Sequence, residues 1–281
     1  MARRPDAAPA NPRRELVLRI VSAVALAPIA IAVAYFDGWP FVIFWAVAAL
    51  GILWEWIRLV IGPEGRPALA AGATALAGTI VAITSGLPVV SFAIIIGGAM
   101  LAAAVSPAGR RAWGGCGVLY AGVALVPSVL LRADTEYGFT AIIFIFAIVW
   151  VTDVAAYFAG RAIGGPKLAP QLSPKKTRSG ALGGSLAAMV AGIATAAIAG
   201  LDHLTVIAVL SFALSVAAQS GDLAESAMKR AFGVKDSSQL IPGHGGLMDR
   251  LDGFIAAVLV AVIVGVVRAD PAEAARGLLL W

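Results

Sequence analysis

Charged residues are scarce in this sequence, and their scarcity indicates its class. Only 13% of the 281 residues are charged, whereas 60% are hydrophobic. A soluble globular domain usually carries about 25% charged residues. A chain of this length with so few charges lacks the polar side chains that a soluble surface needs, so the composition indicates a membrane protein.

Cysteine is almost absent as well. Cys116 is the only cysteine in the chain, which excludes an intramolecular disulfide and a metal site built from several thiolates. We interpret Cys116 as a small apolar residue of a membrane helix. No internal repeat of fixed period is visible either.

Long apolar runs dominate what the sequence does have. About 20 mostly apolar residues are needed for a helix that crosses the hydrocarbon core, and turn residues such as Asp37-Gly38 and Gly62-Pro63 separate runs of that length. The apolar runs predict an all-α polytopic membrane protein. We divide it into a polar tail at 1–15, an N-terminal region of about five spans at 16–135 and a C-terminal region of about four spans at 136–281, to which we assign catalysis on the polar residues described below. The nine predicted spans lie near 17–36, 39–61, 68–85, 87–105, 114–131, 139–160, 181–200, 203–221 and 253–268.

The distribution of Lys and Arg predicts how these spans are oriented. With nine spans, 18 of the 21 basic residues fall on one side, and only Arg132, Arg268 and Arg276 fall on the other. Basic residues are retained in cytoplasmic loops, so the N-terminus is predicted to be cytoplasmic and the C-terminus outside. This distribution also accounts for the net charge of +5, and no nucleic-acid partner is predicted.

Two long cytoplasmic connections, 161–180 and 222–252, carry most of the unusual polar residues and are predicted to form the walls of one site. Residues 222–232 are predicted to continue a helix that ends at Gly233. Asp249 and Asp252 then lie on one face of the start of the last span. Neighbouring carboxylates repel each other unless a cation neutralises them, and a site with only oxygen ligands favours Mg²⁺.

The segment before the seventh span is suited to a polyphosphate. Lys175, Lys176 and Arg178 precede a helix N-terminus, where free N–H groups and positive charge favour anions. Asp153 lies inside the sixth span, and an ionisable residue within the membrane is a functional candidate. Glu55, near a cytoplasmic helix end, is expected to reach the interface and is not assigned to the site.

Each of these features has an ordinary alternative. Asp249 and Asp252 could be partners of a helix dipole, and the basic clusters could be topological anchors. Asp153 could pair with Arg161 or with another basic residue. The predicted site rests on the combination of acidic groups, basic groups and a glycine-rich loop within a short segment.

The same residues carry a family resemblance. The run from Ser226 to Asp252 resembles the signature of the phosphatidate cytidylyltransferases, and two shorter blocks are similar to that family. The matching residues are Ser226, Met228-Lys229-Arg230, Lys235-Asp236, Ser238, Ile241-Pro242-Gly243-His244-Gly245-Gly246-Leu247 and Asp249-Arg250-Leu251-Asp252, together with Thr152-Asp153, Tyr157-Phe158, Gly160-Arg161, Leu168-Ala169-Pro170 and Ser173-Pro174-Lys175-Lys176-Thr177. One departure is Arg178-Ser179, where the family usually has Trp and Glu.

The resemblance implies that CTP and phosphatidic acid react to give CDP-diacylglycerol and pyrophosphate, for phospholipid biosynthesis at the cytoplasmic face of the cell membrane. It implies Mg²⁺, with more than one ion, held by Asp222 and Asp249 with Asp252 and Asp153 in support. Asp222, Asp249, Lys229 and Arg230 are the implied catalytic residues. The implied substrate-binding residues are Ser173, Lys175, Lys176, Thr177, Lys235, His244, Gly245, Gly246 and Arg250.

Three further expectations accompany this interpretation. The alternative enzyme is a CTP-dependent lipid kinase of the polyprenol or phytol type, which would release no pyrophosphate. A transporter is disfavoured because the polar groups cluster on one side and the two halves of the chain are dissimilar. Small residues, as in Gly160-x3-Gly164 and the seventh span, are predicted to let helices pack closely and suggest a homodimer seam.

Overall fold

The computed structural model describes residues 26–240 and 245–281, and almost all of that chain is helical. Eight helices in this described part, α2 to α9, are long and apolar enough to cross a membrane. The first predicted span is described only from residue 26 onwards, so the ninth crossing stays a prediction. The helices are α1 Leu26–Phe36, α2 Gly38–Val60, α3 Arg66–Thr84, α4 Pro88–Val105, α5 Arg111–Arg132, α6 Gly138–Ile163, α7 Arg178–Ile198, α8 Leu204–Ala231, α9 Met248–Arg268 and α10 Ala274–Leu279.

Local sequence signals determine several helix ends. Proline begins α4 at Pro88 and stands in the first turn of α3, where its missing N–H is not needed. Gly164 and Gly233 follow α6 and α8 with φ of 68° and 71°, a left-handed conformation that suits glycine after a helix. The prediction that a helix continues past Asp222 and stops at Gly233 is therefore confirmed.

Aromatic side chains form the contact between the N-terminal and C-terminal helices. The ring of Trp45, on α2, stacks on Phe254 of α9 with centroids 4.8 Å apart. Phe146 of α6 packs against the same Phe254 ring at 5.3 Å. Such pairs add packing energy to the burial of large apolar surfaces. They hold α2, α6 and α9 together below the polar end of the bundle.

Glycines bring α6 and α7 into backbone contact. A Cβ atom added at Gly180 would lie 2.7 Å from the carbonyl oxygen of Ala156, and one at Gly184 would lie 2.8 Å from that of Thr152. Larger side chains at these positions would force the helices apart. The predicted close packing by small residues is thus confirmed within one chain, and the homodimer stays a prediction.

A short hairpin lies in the 161–180 connection, for which the sequence predicted no secondary structure. Strands β1, Lys167–Ala169, and β2, Ser173–Thr177, pair antiparallel, with Lys167 opposite Thr177 and Ala169 opposite Ser173. The sequence did not indicate it because the strands are too short for an alternating pattern. Pro174, which cannot donate a ladder hydrogen bond, also argued against a strand.

A C-terminal helix closes the opposite end of the bundle. The side chains of Leu278 and Leu279 are at most 1% exposed. Arg276 lies 3.3 Å from the carboxylate of Asp134 and 2.7 Å from that of Glu136, in the connection between α5 and α6. At six residues, α10 is too short to show helical periodicity, and the sequence did not predict it.

Candidate active site

A cavity of about 510 Å³ opens where α6, the hairpin, α7 and α8 meet. Its wall carries charges of both signs beside small residues that leave room for a ligand. The polar residues in its lining are Asp153, Tyr157, Arg161, Lys167, Lys175, Lys176, Thr177 and Gln219. The structure therefore brings four of the predicted site residues, Asp153, Lys175, Lys176 and Thr177, to one place.

Four of the polar lining residues, Tyr157, Arg161, Lys167 and Gln219, were not assigned to the site from the sequence. Lys167 comes from β1, Gln219 comes from α8, and Arg161 donates a hydrogen bond to the Tyr157 hydroxyl at 3.0 Å, one helical turn away. The contact of Arg161 with Tyr157 replaces the pairing with Asp153 that was considered as an alternative. Arg161 lies inside a family block, and that position was the available signal.

An ion pair joins the hairpin to α8. The Lys176 ammonium donates to a carboxylate oxygen of Asp222, and both side chains are about one-third exposed. The Ser226 hydroxyl approaches the other oxygen of Asp222 at 3.4 Å. Lys176 lines the cavity, whereas Asp222 lies behind it as its partner and is not part of the cavity lining. Both side chains are exposed enough for a charged ligand to compete for their contact.

Lys229 forms a second ionic contact, between α8 and α9. Its Nζ lies 2.5 Å from Glu225 Oε2 and 2.5 Å from Asp249 Oδ1. All three side chains are at least nine-tenths buried. A buried charge with a missing partner is strongly destabilising, so these three groups depend on one another.

Asp249 is saturated by protein donors. Its Oδ1 accepts from Lys229 at 2.5 Å, and its Oδ2 accepts from the Ser237 amide at 2.9 Å, the Ser237 hydroxyl at 3.0 Å and the Gly246 amide at 2.8 Å. A metal ion at Asp249 would have to displace some of these donors. The contacts describe a residue that anchors the loop before α9, and its role as a metal ligand stays a prediction.

Glu55 does not reach the membrane interface, contrary to the expectation from the sequence. Its side chain is fully buried. It accepts hydrogen bonds from the hydroxyls of Ser237 and Ser238 at 3.1 and 2.6 Å and from the amides of Leu247 and Met248, both at 2.8 Å. The sequence signal for a buried, hydrogen-bonded Glu55 was the presence of a carboxylate in an apolar helix.

The carboxylates not saturated by protein donors suit Mg²⁺. Asp153, Asp222 and Asp252 are close enough for their charges to repel, and Asp252 accepts only from the Gly253 amide in the described contacts, at 2.7 Å. Within 26–240 and 245–281, no three His, Cys, Asp or Glu residues are close enough to hold a metal by themselves. Mg²⁺ usually binds one or two carboxylates and completes its shell with substrate phosphates and water, so these carboxylates are of the right chemical type, and the metal stays a prediction.

Three other predicted basic residues, Arg230, Lys235 and Arg250, lie outside the cavity lining. Arg230 is exposed and donates to the carbonyl oxygen of Val234 at 2.7 Å, and Lys235 is exposed. Arg250 is also exposed, and it is close enough to attract the carboxylate of Asp153. Their predicted contacts with substrate stay predictions.

The remaining predicted residues lie in the hairpin and the glycine loop. Thr177 is the N-cap of α7 and accepts from the Gly180 amide at 3.1 Å, whereas Ser173, in β2, lies outside the cavity lining. Gly245 adopts φ of 81°, and Gly246 lies against Ser237 and Glu55 so closely that a Cβ atom would collide with both. His244 lies outside the described residues.

A second, apolar cavity of about 310 Å³ lies between α7 and α8. It shares the lining residues Leu168, Ala181 and Gln219 with the charged cavity, so the two lie side by side. Its other lining residues are Leu182, Ser185, Phe212, Val216, Ser220 and Leu223. An apolar groove adjoining a charged pocket can hold a molecule that has a polar head and a hydrocarbon tail.

The fold and the cavities define an integral membrane enzyme with a charged pocket at one end of its helix bundle. Residues 17–267 match the Cytidylyltransferase family, and the chain belongs to that family. It is 39% identical to the phosphatidate cytidylyltransferase of Brucella suis biovar 1 (strain 1330) over 257 residues, which cover 91% of this chain and 95% of that protein. It is 40% identical over 139 residues to the protein of the same name from Bacillus subtilis (strain 168), covering 49% of this chain and 51% of that one.

Proposed function

We propose that the chain transfers the cytidylyl group of CTP to phosphatidic acid, giving CDP-diacylglycerol and pyrophosphate. The observation that carries this proposal is that the charged cavity and the apolar groove adjoin through shared lining residues, an arrangement that suits a nucleotide and a lipid that must meet. The names of the related proteins support the same reaction. We further propose that the cavity faces the cytoplasm, where the positive-inside distribution of Lys and Arg puts this end of the bundle.

The reaction requires little proton transfer. A phosphate oxygen of phosphatidic acid attacks the α-phosphorus of CTP, the bond from that phosphorus to the bridging oxygen breaks, and pyrophosphate leaves. The nucleophile is already an anion, so the main barrier is the repulsion between anions and the charge that develops on the transferred group. Positioning and electrostatic stabilisation are therefore the contributions expected of the protein.

The cavity wall supplies cations for this task. Lys167, Lys175, Lys176 and Arg161 line the pocket, and we assign them to the phosphates of CTP and phosphatidic acid. Lys176 can exchange its contact with Asp222 for a phosphate oxygen, since both side chains are partly exposed. That exchange leaves the carboxylate of Asp222 free for a metal ion when nucleotide enters.

We assign Mg²⁺ to Asp222 and Asp252, with Asp153 in support. When bound there, Mg²⁺ would supply positive charge that offsets the negative charge developing on the transferred group. The contacts of Asp249 favour a different task for it, holding the loop and orienting Lys229. The number of ions, predicted to be more than one, is open to direct measurement.

The lipid is assigned to the groove between α7 and α8. Its apolar lining, from Leu182 to Val216 and Leu223, suits an acyl chain. At the shared residues Ala181 and Gln219, the phosphate head group would enter the charged cavity. This arrangement lets the lipid keep its tail in the membrane while its phosphate reaches CTP.

A radiolabel assay tests the reaction. Purified protein in detergent receives phosphatidic acid, Mg²⁺ and CTP labelled at the α-phosphate, and the label is followed into a chloroform-soluble product. We expect labelled lipid with the wild type, loss of at least about 100-fold with Asp222→Asn, because metal charge stabilisation is removed, and full loss on chelation. Asp202→Asn, in the exposed connection between α7 and α8, is the matched control and should keep wild-type activity.

Three outcomes are informative. Absence of labelled lipid with folded wild type overturns the cytidylyl-transfer proposal. Transfer of label from γ-labelled CTP to a polyprenol would assign the kinase alternative instead. Wild-type activity in Asp222→Asn would keep the reaction but reject Asp222 as a metal ligand.

A further inference from the structure

The carboxylate of Glu55 connects the N-terminal helices to the catalytic loop. Glu55 comes from α2, whereas its four hydrogen-bond donors come from residues 237–248, between α8 and α9. The backbone contacts cap the N-terminus of α9, whose first residues are Leu247 and Met248. A negative charge at that end of a helix also interacts favourably with the helix dipole.

The hydroxyl of Ser237 is within hydrogen-bonding distance of both Glu55 and Asp249. The Ser237 hydroxyl lies 3.1 Å from Glu55 Oε2 and 3.0 Å from Asp249 Oδ2. Ser237 thereby links Glu55 to the carboxylate that orients Lys229 at 2.5 Å. A chain of direct contacts therefore runs from α2 through the loop and α9 to the ammonium group on α8.

Packing around this contact leaves little freedom. A Cβ atom at Gly246 would lie 2.8 Å from both oxygens of Glu55, and one at Gly51, a turn earlier on α2, would lie 2.9 Å from the Leu247 side chain. The space beside Glu55 is therefore too small for a side chain at position 246, and a larger residue at position 51 would have to displace the end of the Leu247 side chain. Ser237, Ser238 and the start of α9 thus lie directly against α2, around the buried carboxylate.

We propose that Glu55 is a positioning residue for cytidylyl transfer. It holds Ser237, Ser238 and the start of α9 so that Asp249 and Lys229 keep the geometry that the reaction requires. Glu55 touches neither the charged cavity nor the apolar groove in their described linings, so it acts through the loop and not on the substrate.

The arrangement requires a carboxylate and not merely a polar group. Each oxygen of Glu55 accepts from one backbone amide, Leu247 on Oε1 and Met248 on Oε2. A backbone N–H cannot reverse its direction, so glutamine in either orientation would turn its NH₂ group towards one of these donors. A buried donor without an acceptor costs the full desolvation of that group.

The test compares Glu55→Gln with wild type and with Glu64→Gln. Glu64 is exposed in the turn after α2 and serves as the matched control. We expect Glu55→Gln to lower kcat about 10- to 100-fold, because displacement of catalytic groups by about 1 Å has effects of that size. The KM for CTP should change less than about threefold, because the interactions with CTP in the cavity wall are left intact, and Glu64→Gln should match the wild type.

Two more variants separate positioning from folding. Glu55→Asp keeps both acceptor oxygens on a shorter side chain and should recover part of kcat. Ser237→Ala removes the shared hydroxyl but keeps the hydrogen bond from the backbone amide of residue 237 to Asp249. It should therefore lower kcat less than Glu55→Gln does. In the double variant the two losses should not multiply, since coupled residues act through one contact.

A second readout does not depend on activity. Amide hydrogen exchange at Leu247 and Met248 should accelerate in Glu55→Gln while exchange in α5 stays unchanged. The activity test rests on the proposed reaction, and wild type without activity would reject that reaction alone. A wild-type kcat in Glu55→Gln would overturn the positioning role. If Glu55→Gln does not fold, a wild-type kcat in Ser237→Ala would overturn it. Unchanged hydrogen exchange at the amides of Leu247 and Met248 would also overturn it.

Discussion

Lys229 lies between two carboxylates that would otherwise face each other inside the protein. Its ammonium group is 2.5 Å from Glu225 and 2.5 Å from Asp249. Because Glu225 comes from α8 and Asp249 from α9, Lys229 stabilises the contact between these helices as well as the charge of the site. Variants that restore stability without restoring Lys229 are therefore needed to distinguish its structural contribution from its catalytic one.

Replacement of Lys229 by Met is expected to destabilise the protein and to abolish activity. Loss of one partner from a buried ionic cluster typically costs about 3–5 kcal/mol. Thermal unfolding in detergent measures the first effect, and the radiolabel assay below the unfolding temperature measures the second. Addition of Glu225→Gln removes one of the two carboxylates that lose the Lys229 ammonium group in this variant, and it should restore part of the stability.

Activity in that double variant decides the role of Lys229. If Lys229 interacts with phosphate during the reaction, restored stability should leave kcat low. A double variant that regains both stability and wild-type kcat would show that Lys229 is needed only to hold α8 and α9 together.

The site residues differ in how readily the sequence reveals them. Asp153 and Lys176 stand out because charges in an apolar chain are few and these two belong to family-like blocks. Asp222 stands out because it lies where a predicted span meets the cytoplasm. Glu55 has partners 182 to 193 positions away in the chain. Neither spacing nor periodicity carries information over such a distance, so a lone carboxylate near a helix end was interpreted as interfacial.

Among the helical elements, α7 and α8 contribute the groove that we assign to an acyl chain. Val216 lines this groove, while Val209, two turns earlier on α8, is 64% exposed on the apolar surface outside the groove lining. The two valines therefore offer the same substitution inside and outside the groove. A bulky side chain at Val216 would occupy space that the lipid needs.

Val216→Trp is expected to raise the KM for long-chain phosphatidic acid about tenfold or more, since lost burial of two or more methylene groups is worth about that much. The KM for CTP should not change. Val209→Trp should leave both constants at their wild-type values. Equal effects of the two variants, or no effect of Val216→Trp, would move the acyl chain to another surface.

The hairpin shows the limit of sequence interpretation at the scale of elements. Hydropathy locates the helices well because each is an apolar run of about 20 residues. Strands of three and five residues are stabilised by each other and by α6 and α7, not by their own pattern. Ser179, one of the two departures from the family pattern, donates to the carbonyl oxygen of Gly164 and ties the start of α7 to the end of α6.

At the scale of the whole molecule, the two ends of the bundle have different tasks. The cavity, Glu55 and Lys229 lie at one end, and α10 with Arg132, Arg268 and Arg276 lies at the other. The Arg132 side chain donates to the carbonyl oxygen of Ala34 at 2.6 Å and pairs with Asp37 at 3.3 Å. Changes at the α10 end should therefore affect stability more than chemistry.

Leu278→Ala tests this separation. Leu278 is fully buried and Leu280, two residues later, is 40% exposed. Truncation of a buried leucine typically costs about 2–5 kcal/mol, so Leu278→Ala should lower the thermal midpoint clearly while Leu280→Ala lowers it little. Both should keep wild-type kcat per folded molecule, and a selective loss of kcat in Leu278→Ala would connect α10 to the active site.

The contact between Glu55 and the loop before α9 also limits how this protein can be divided or recombined. The motifs that resemble the family lie in the C-terminal half, yet that half lacks the carboxylate that seats its loop. A fragment beginning after α5 would retain every recognisable motif without being self-sufficient. Exchange of the N-terminal spans between relatives is expected to preserve activity only where the incoming α2 supplies an equivalent acid, so the least distinctive half of the sequence also carries a constraint set by the active site.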